Sequence, residues 1–193
     1  PMRPRQEITE MFSTFAQLET DRFSKWLTDS KLRRSIQNCL GHLAEVPTSE
    51  NFWAFYWHKN WRNSSNPLAG THLSAYLQEP CYWAAYKTDR RFTNTQYGLA
   101  DYFQMASAEV KTVLENFNPD RSSSLKAYAS MAFPSLLKDI LRQRKEADIC
   151  TNWGLLRKVS KRHVLEALHN AGLSKAQIAQ YRLAWTCFKE LYI

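Results

Sequence analysis

Glycine and proline are scarce in this chain, five and seven among 193 residues. A β-sandwich needs turn residues at every strand connection, so the scarcity predicts helices. No apolar run approaches the roughly 18 residues that span a bilayer, and no signal peptide opens the chain. The expectation is a cytoplasmic protein without a membrane partner. Cysteine is limited to Cys39, Cys81, Cys150 and Cys187, with no CxxC pair, which predicts reduced thiols rather than a disulfide framework. Cys39 and His42 have a ligand-like spacing, but no second pair follows, and His58, His72, His163 and His169 form no cluster. Neither a metal nor a cofactor is expected. Paired carboxylates, a nucleophile constellation and a phosphate loop are also lacking, so the chain does not read as an enzyme.

Acids are short as well: 18 Asp and Glu against 26 Lys and Arg leave a net charge of +8. The excess is uneven. Between Arg121 and Arg162 ten Lys or Arg face only Asp139, Glu146 and Asp148, a local +7 in about a fifth of the chain. Such a stretch is either a solvated helix face or a surface for a polyanion, nucleic acid first.

Aromatic residues are plentiful, 13% of the chain, which excludes disorder over most of its length. Apolar steps of three and four residues predict helices almost throughout. One covers "EITEMFSTFAQLETDRFSKWL", and another carries Leu32, Ile36, Cys39, Leu40 and Leu43. "PTSENFWAFYWHKNW" starts on a capping box at Thr48 or Ser49 and reads as a core helix. "NSSNPLAGT" is a loop. Beyond it a helix bent at Pro80 is expected, then a break at Thr93-Asn94-Thr95 and a long helix from Tyr97 to Phe117. Ser123 or Ser124 caps the next, which Pro134 should kink or split. Two more helices follow, one ended by Ala171-Gly172 and one capped by Ser174. No β-hairpin signal stands out. The fold class expected is all-α, a multi-helix bundle.

One segment is more specific. "DYFQMASAEVKTVLENFNPDRSSSLKAYAS" resembles, without a gap, the central segment of bacterial sigma-70-type transcription initiation factors. Asp101 and Gln104 fall on the family's Asp-x-x-Gln. Phe117, Pro119 and Arg121 fall on its Phe-Asp-Pro-x-Arg turn, and Tyr128-Ala129 on its Tyr-Ala pair. The resemblance covers about 30 residues closely, and 75 to 145 loosely. It implies a sigma region 2-like helical domain over 71–148, an aromatic-rich helical extension over 1–70, and a helical segment over 149–193 that could open the next sigma region.

The function implied is that of an alternative sigma factor fragment. It would bind core RNA polymerase at the clamp helices of the largest subunit, capture the −10 element of promoter DNA, and answer to an anti-sigma protein. Asp101 and Gln104 would contact polymerase. Tyr128 would receive an unstacked base, Ser135 would face duplex bases, and Arg121, Lys126, Lys138, Arg142, Arg144 and Lys145 would meet phosphates. A flat ring suits an unstacked base, and cations suit the backbone. The sequence departs from the family where a tandem Trp pair is replaced by Met131-Ala132, where Asp139 stands for a cation, and where Pro134 interrupts the helix. The alternative implied is a sigma-like regulator, or a helical nucleic-acid-binding protein, that does not open promoters.

Overall fold

The structure, a computed structural model, describes residues 2–42, 47, 49–92, 97–143, 156 and 159–192. The chain forms two compact units, Pro1–Ala147 and Asp148–Ile193. Helices dominate both. No helix among the described residues is long and apolar enough to cross a membrane.

The first unit begins with a short helix α1 (Ile8–Met11) and an antiparallel hairpin, β1 (Thr14–Glu19) and β2 (Arg22–Thr28). This corrects the helix expected over this stretch, in a fold that is otherwise mostly helical: residues 14–19 and 22–28 are strand, not helix. Phe12, Phe15, Leu18, Phe23 and Trp26 do recur at helix-like steps. The same stretch is also rich in Thr and aromatics, which fit a pleated surface better. The turn is Thr20-Asp21, both at positive φ (48° and 56°), as in the tight two-residue hairpin loops. Neither residue is glycine, so the usual hairpin signature is missing. An extra residue, Ser24, slips the register between the Gln17–Lys25 and Leu18–Phe23 pairs.

The helices are α2 (Ser30–Gly41), α3 (Glu50–Arg62), α4 (Ala69–Tyr76), α5 (Gln78–Arg91), α6 (Leu99–Ala108), α7 (Val110–Asn116) and α8 (Leu125–Gln143). Asp29 caps α2 through Lys31 N and Leu32 N, both at 2.9 Å. Pro80 does not bend a helix. The break falls at Leu77, and Pro80 sits in the first turn of α5, where its missing N–H is tolerated. The long helix expected to Phe117 is divided at Glu109 into α6 and α7. Pro134 leaves α8 one continuous helix rather than two.

One core serves the whole unit. Trp53, Trp57, Leu73, Leu77, Phe133 and Leu137 are all buried in it, so the first 70 residues and the sigma-like segment share their packing. Phe12 stacks on Tyr76 with centroids 4.7 Å apart, and Trp57 on His72 at 3.9 Å.

His72 is fully buried. A carbonyl can only accept, so Nδ1 donates to Phe12 O at 2.7 Å, and in the neutral ring Nε2 accepts from Ser35 Oγ at 2.9 Å. Burial holds the ring's pKa below that of an ordinary imidazole, against the upward pull of the Phe12 carbonyl and Asp29. A depressed folded-state pKa means the unfolded chain takes the proton first. Stability is full above the ordinary histidine pKa of roughly 6.5 and falls as pH drops toward the folded-state value. Thermal unfolding should move to lower temperature between about pH 7.5 and pH 5.5, and His72→Gln should flatten that part of the curve.

The cysteines among the described residues, Cys39, Cys81 and Cys187, are free thiols; Cys150 lies outside them. In the second unit, α9 (Lys161–Asn170) is capped by Ser160 and α10 (Lys175–Tyr192) follows. Between them Gly172 takes φ 73°, and Ser174 Oγ accepts from Gln177 N at 3.4 Å while Ser174 N donates to Gln177 Oε1 at 3.0 Å. Leu183 and Leu191 are 66% and 79% exposed, so these two helices bury little by themselves. Of the helix expected from about Trp153 to Asn170, α9 is the part that forms, starting at Lys161 after an extended Ser160; residues 153–155, 157 and 158 lie outside the described residues.

Candidate nucleic-acid interface

The segment singled out by sequence starts at α6. Gly98 N donates to Asp101 Oδ2 at 3.0 Å, so Asp101 satisfies one amide at the mouth of its own helix. A second amide, Ala100 N, donates to Asp21 Oδ1 at 2.9 Å. Asp21 belongs to the hairpin turn, so the strained tip of the hairpin caps a helix nearly eighty residues away. Gly98 is what lets it in: a Cβ there would stand 2.6 Å from Asp21 Oδ2. Asp101 and Gln104 are both exposed and lie three residues apart, on one face of α6.

The turn after α7 is ordered by its own side chains. Asn118 Oδ1 accepts from Asp120 N at 2.9 Å, and its carbonyl accepts from Arg121 N at 3.1 Å and Ser122 N at 3.2 Å. Of the two serines expected to cap α8, Ser124 does so, its Oγ accepting from Ala127 N at 3.2 Å. Phe117 is the pivot. Its buried ring meets Phe55 at 5.9 Å, His58 at 5.1 Å and Tyr128 at 5.4 Å. Tyr128 is half-buried against the core, with one side on Phe117.

The predicted phosphate contacts divide into distinct groups. Lys126 is engaged: its Nζ lies 3.0 Å from Glu79 Oε2 and 3.6 Å from Glu50 Oε2, tying α8 to α5 and α3. Ser135, Lys138 and Arg142 share one face of α8 at steps of three and four, opposite the fully buried Phe133, Leu137 and Leu141. On that face Met131, at the first of the two positions where the family has tryptophan, is 69% exposed, and Arg142 pairs with Asp139 at 3.3 Å. Arg121 is exposed at the turn. Arg144 and Lys145 lie outside the described residues, as does most of the +7 stretch between Arg144 and Lys158.

Sequence reasoning missed two parts of this region. One is the ionic network beneath it. Glu79 also holds Arg5, whose Nε lies 3.0 Å from Glu79 Oε1, and the Arg5 guanidinium donates to the carbonyls of Met11, Thr14, Ala75 and Tyr76 at 2.9–3.1 Å. Trp26 covers it, ring centroid 4.2 Å from Cζ. The other is an open cleft of about 780 Å³ between the end of α3 and the Asn118–Arg121 turn, lined by His58, Lys59, Arg62, Phe55, Phe117 and Arg121 among others. Lys59 and Arg62 lie outside the basic stretch, and only the packing of α3 brings them beside it. No group of three or more His, Cys, Asp or Glu able to hold a metal occurs among the described residues.

No family model, curated protein or solved structure matches the chain.

Proposed function

We propose that this chain is the polymerase- and promoter-binding part of a divergent sigma-type factor, working without enzymatic chemistry of its own. The observation that carries the reading is the helix–turn–helix sequence from α6 to α8. An exposed Asp101–Gln104 pair precedes a rigid Asn118-Pro119-Asp120-Arg121 turn, and a helix follows with Ser135, Lys138 and Arg142 on its open face. A docking patch needs two polar side chains fixed on one helix face, and strand capture needs cations and a ring beyond a stiff turn. Core RNA polymerase and promoter DNA are the partners this reading requires, with an anti-sigma protein a third. It places the factor in the cytoplasm, at the nucleoid through polymerase.

A second reading has specific support. Lys126 is held by two carboxylates, Tyr128 gives one side to Phe117, and Met131 stands where a tryptophan wedge would. Fewer groups are then free to melt DNA. This favours a regulator that binds polymerase without opening promoters. Both readings share the α6 patch.

Replacing Asp101 and Gln104 together by Ala tests that patch. Binding to core polymerase should weaken by about tenfold or more, on the order of 1.4 kcal/mol. The Asp101 cap is worth about 1 kcal/mol of stability, so the asparagine variant at 101, which can still accept from Gly98 N, serves as the folding control. Unchanged polymerase affinity in the double mutant would remove α6 from the interface.

A further inference from the structure

The cleft beside the Asn118–Arg121 turn gathers cations from two distant parts of the chain. Lys59 and Arg62 end α3, Arg121 closes the turn, and all three are exposed side chains lining the same space of about 780 Å³. No described carboxylate forms an ion pair with any of them. Two acids share the wall, but Glu115 is drawn to Lys111 at 3.7 Å, leaving Asp120 as the one local counter-charge. Like charges gathered in a concave site repel one another and raise the local concentration of anions. Two rings, Phe55 and Phe117, also line the cleft. The Phe55 ring lies nearly parallel to Phe117, 15° between planes, and is half-buried, so part of it stays accessible at the cleft wall.

We infer that this cleft binds a nucleotide unit, its phosphate held by Lys59, Arg62 and Arg121 and its base against Phe55. The size suits this, since pockets for such ligands run to roughly 300–1,000 Å³. The ligand chemistry is a phosphate ester carrying a planar base, supplied by a single-stranded nucleic acid or by a free nucleotide. The site goes beyond the sigma-type reading. That reading places DNA on α8 and the turn and assigns nothing to the first 70 residues, whereas here α3 supplies two of the three cations. It needs neither polymerase nor Asp101 and Gln104, so it can fail or succeed independently of them.

The test uses the whole chain and fluorescence anisotropy with an oligothymidylate of about 15 nucleotides, within the roughly 4–16 nucleotide span of single-strand sites. A second arm titrates ATP as the free nucleotide. Lys59→Gln, Arg62→Gln and Arg121→Gln combined should weaken oligonucleotide binding about tenfold or more at low salt. The same triple should flatten the salt dependence by about 2 in slope, at roughly 0.7 per phosphate contact on single strands. Neutralising Lys31, Arg33 and Arg34, exposed on α2, matches the change in net charge and should cost much less. Asp120→Asn should tighten binding, and the Lys59→Arg, Arg62→Lys, Arg121→Lys variant should retain most of it. ATP competing at the same site marks a free-nucleotide pocket; oligonucleotide binding that ATP does not displace marks a strand site. Equal losses in the two neutralised triples, or no binding of either probe at low salt, would overturn the inference.

Discussion

Replacing Arg5 with alanine should destabilise the first unit by about 3–5 kcal/mol, the range for removing one partner of a buried ion pair. Arg5 is 4% exposed and donates into α1, the first strand, the end of α4 and the start of α5 at once. Its loss leaves the carbonyls of Met11, Thr14, Ala75 and Tyr76 without that donor, and Glu79 with Lys126 alone. Arg5→Lys should fail nearly as badly, because a single ammonium cannot reproduce the planar fork. A double-mutant cycle with Glu79→Gln should show coupling, the pair costing less than the two singles together.

The same network sets an acid limit. Burial alone would raise the Glu79 pKa, but the Arg5 amide, Arg5 charge and Lys126 outweigh it and hold the carboxyl below the usual range. That stabilisation is present above the ordinary glutamate pKa of roughly 4.3 and is lost as pH falls through the lower folded-state value. Urea titration of Arg5→Ala gives the number directly. A loss under about 1 kcal/mol would mean that the Arg5 network contributes little to stability.

Phe117→Ala should be comparably severe, at about 3–5 kcal/mol, because the ring is only 4% exposed and touches three other rings. Phe117→Leu keeps most of the volume and should lose well under half as much. Tyr128 differs in kind. Half-buried, it should lose about 1–3 kcal/mol of stability on truncation to Ala, and little on change to Phe, since its hydroxyl makes no hydrogen bond to a described residue. If its outer side receives a base, Tyr128→Ala also weakens single-stranded −10 DNA binding in the polymerase complex by about 1–3 kcal/mol, and Phe restores it. Strand affinity unchanged by Tyr128→Ala would leave that ring a packing residue only.

How much of this was legible in the sequence depends on how local the signal was. Helix α3 announced itself through its aromatic stripe, although the capping box expected at its start does not form at Ser49, whose side chain makes no cap bond, and Ser124, Ser174 and Gly172 mark helix ends by chemistry confined to three or four residues. The hairpin did not, because its turn uses Thr20-Asp21 in a conformation that normally calls for glycine. That turn is held by a bond to Ala100 N, far away in sequence. Arg5 sits in a short polar stretch with no periodicity, and its partners are spread from Met11 to Glu79. The cleft escaped for the same reason: charge counted along the chain found the stretch from Arg121 to Arg162, whereas charge gathered in space adds Lys59 and Arg62. The turn at Asn118 to Arg121 was legible as a motif; what its cations meet is a question of packing.

The proposed engagement of bacterial core RNA polymerase by this chain is tested by a single binding measurement. The purified chain, immobilised, is exposed to core polymerase at near-physiological salt, and retention of the largest subunits is quantified beside the Asp101→Ala, Gln104→Ala variant. Saturable retention by the wild-type chain, markedly reduced in the variant, is the expected result. No retention of core polymerase by the intact, folded chain, even at low salt, would contradict it.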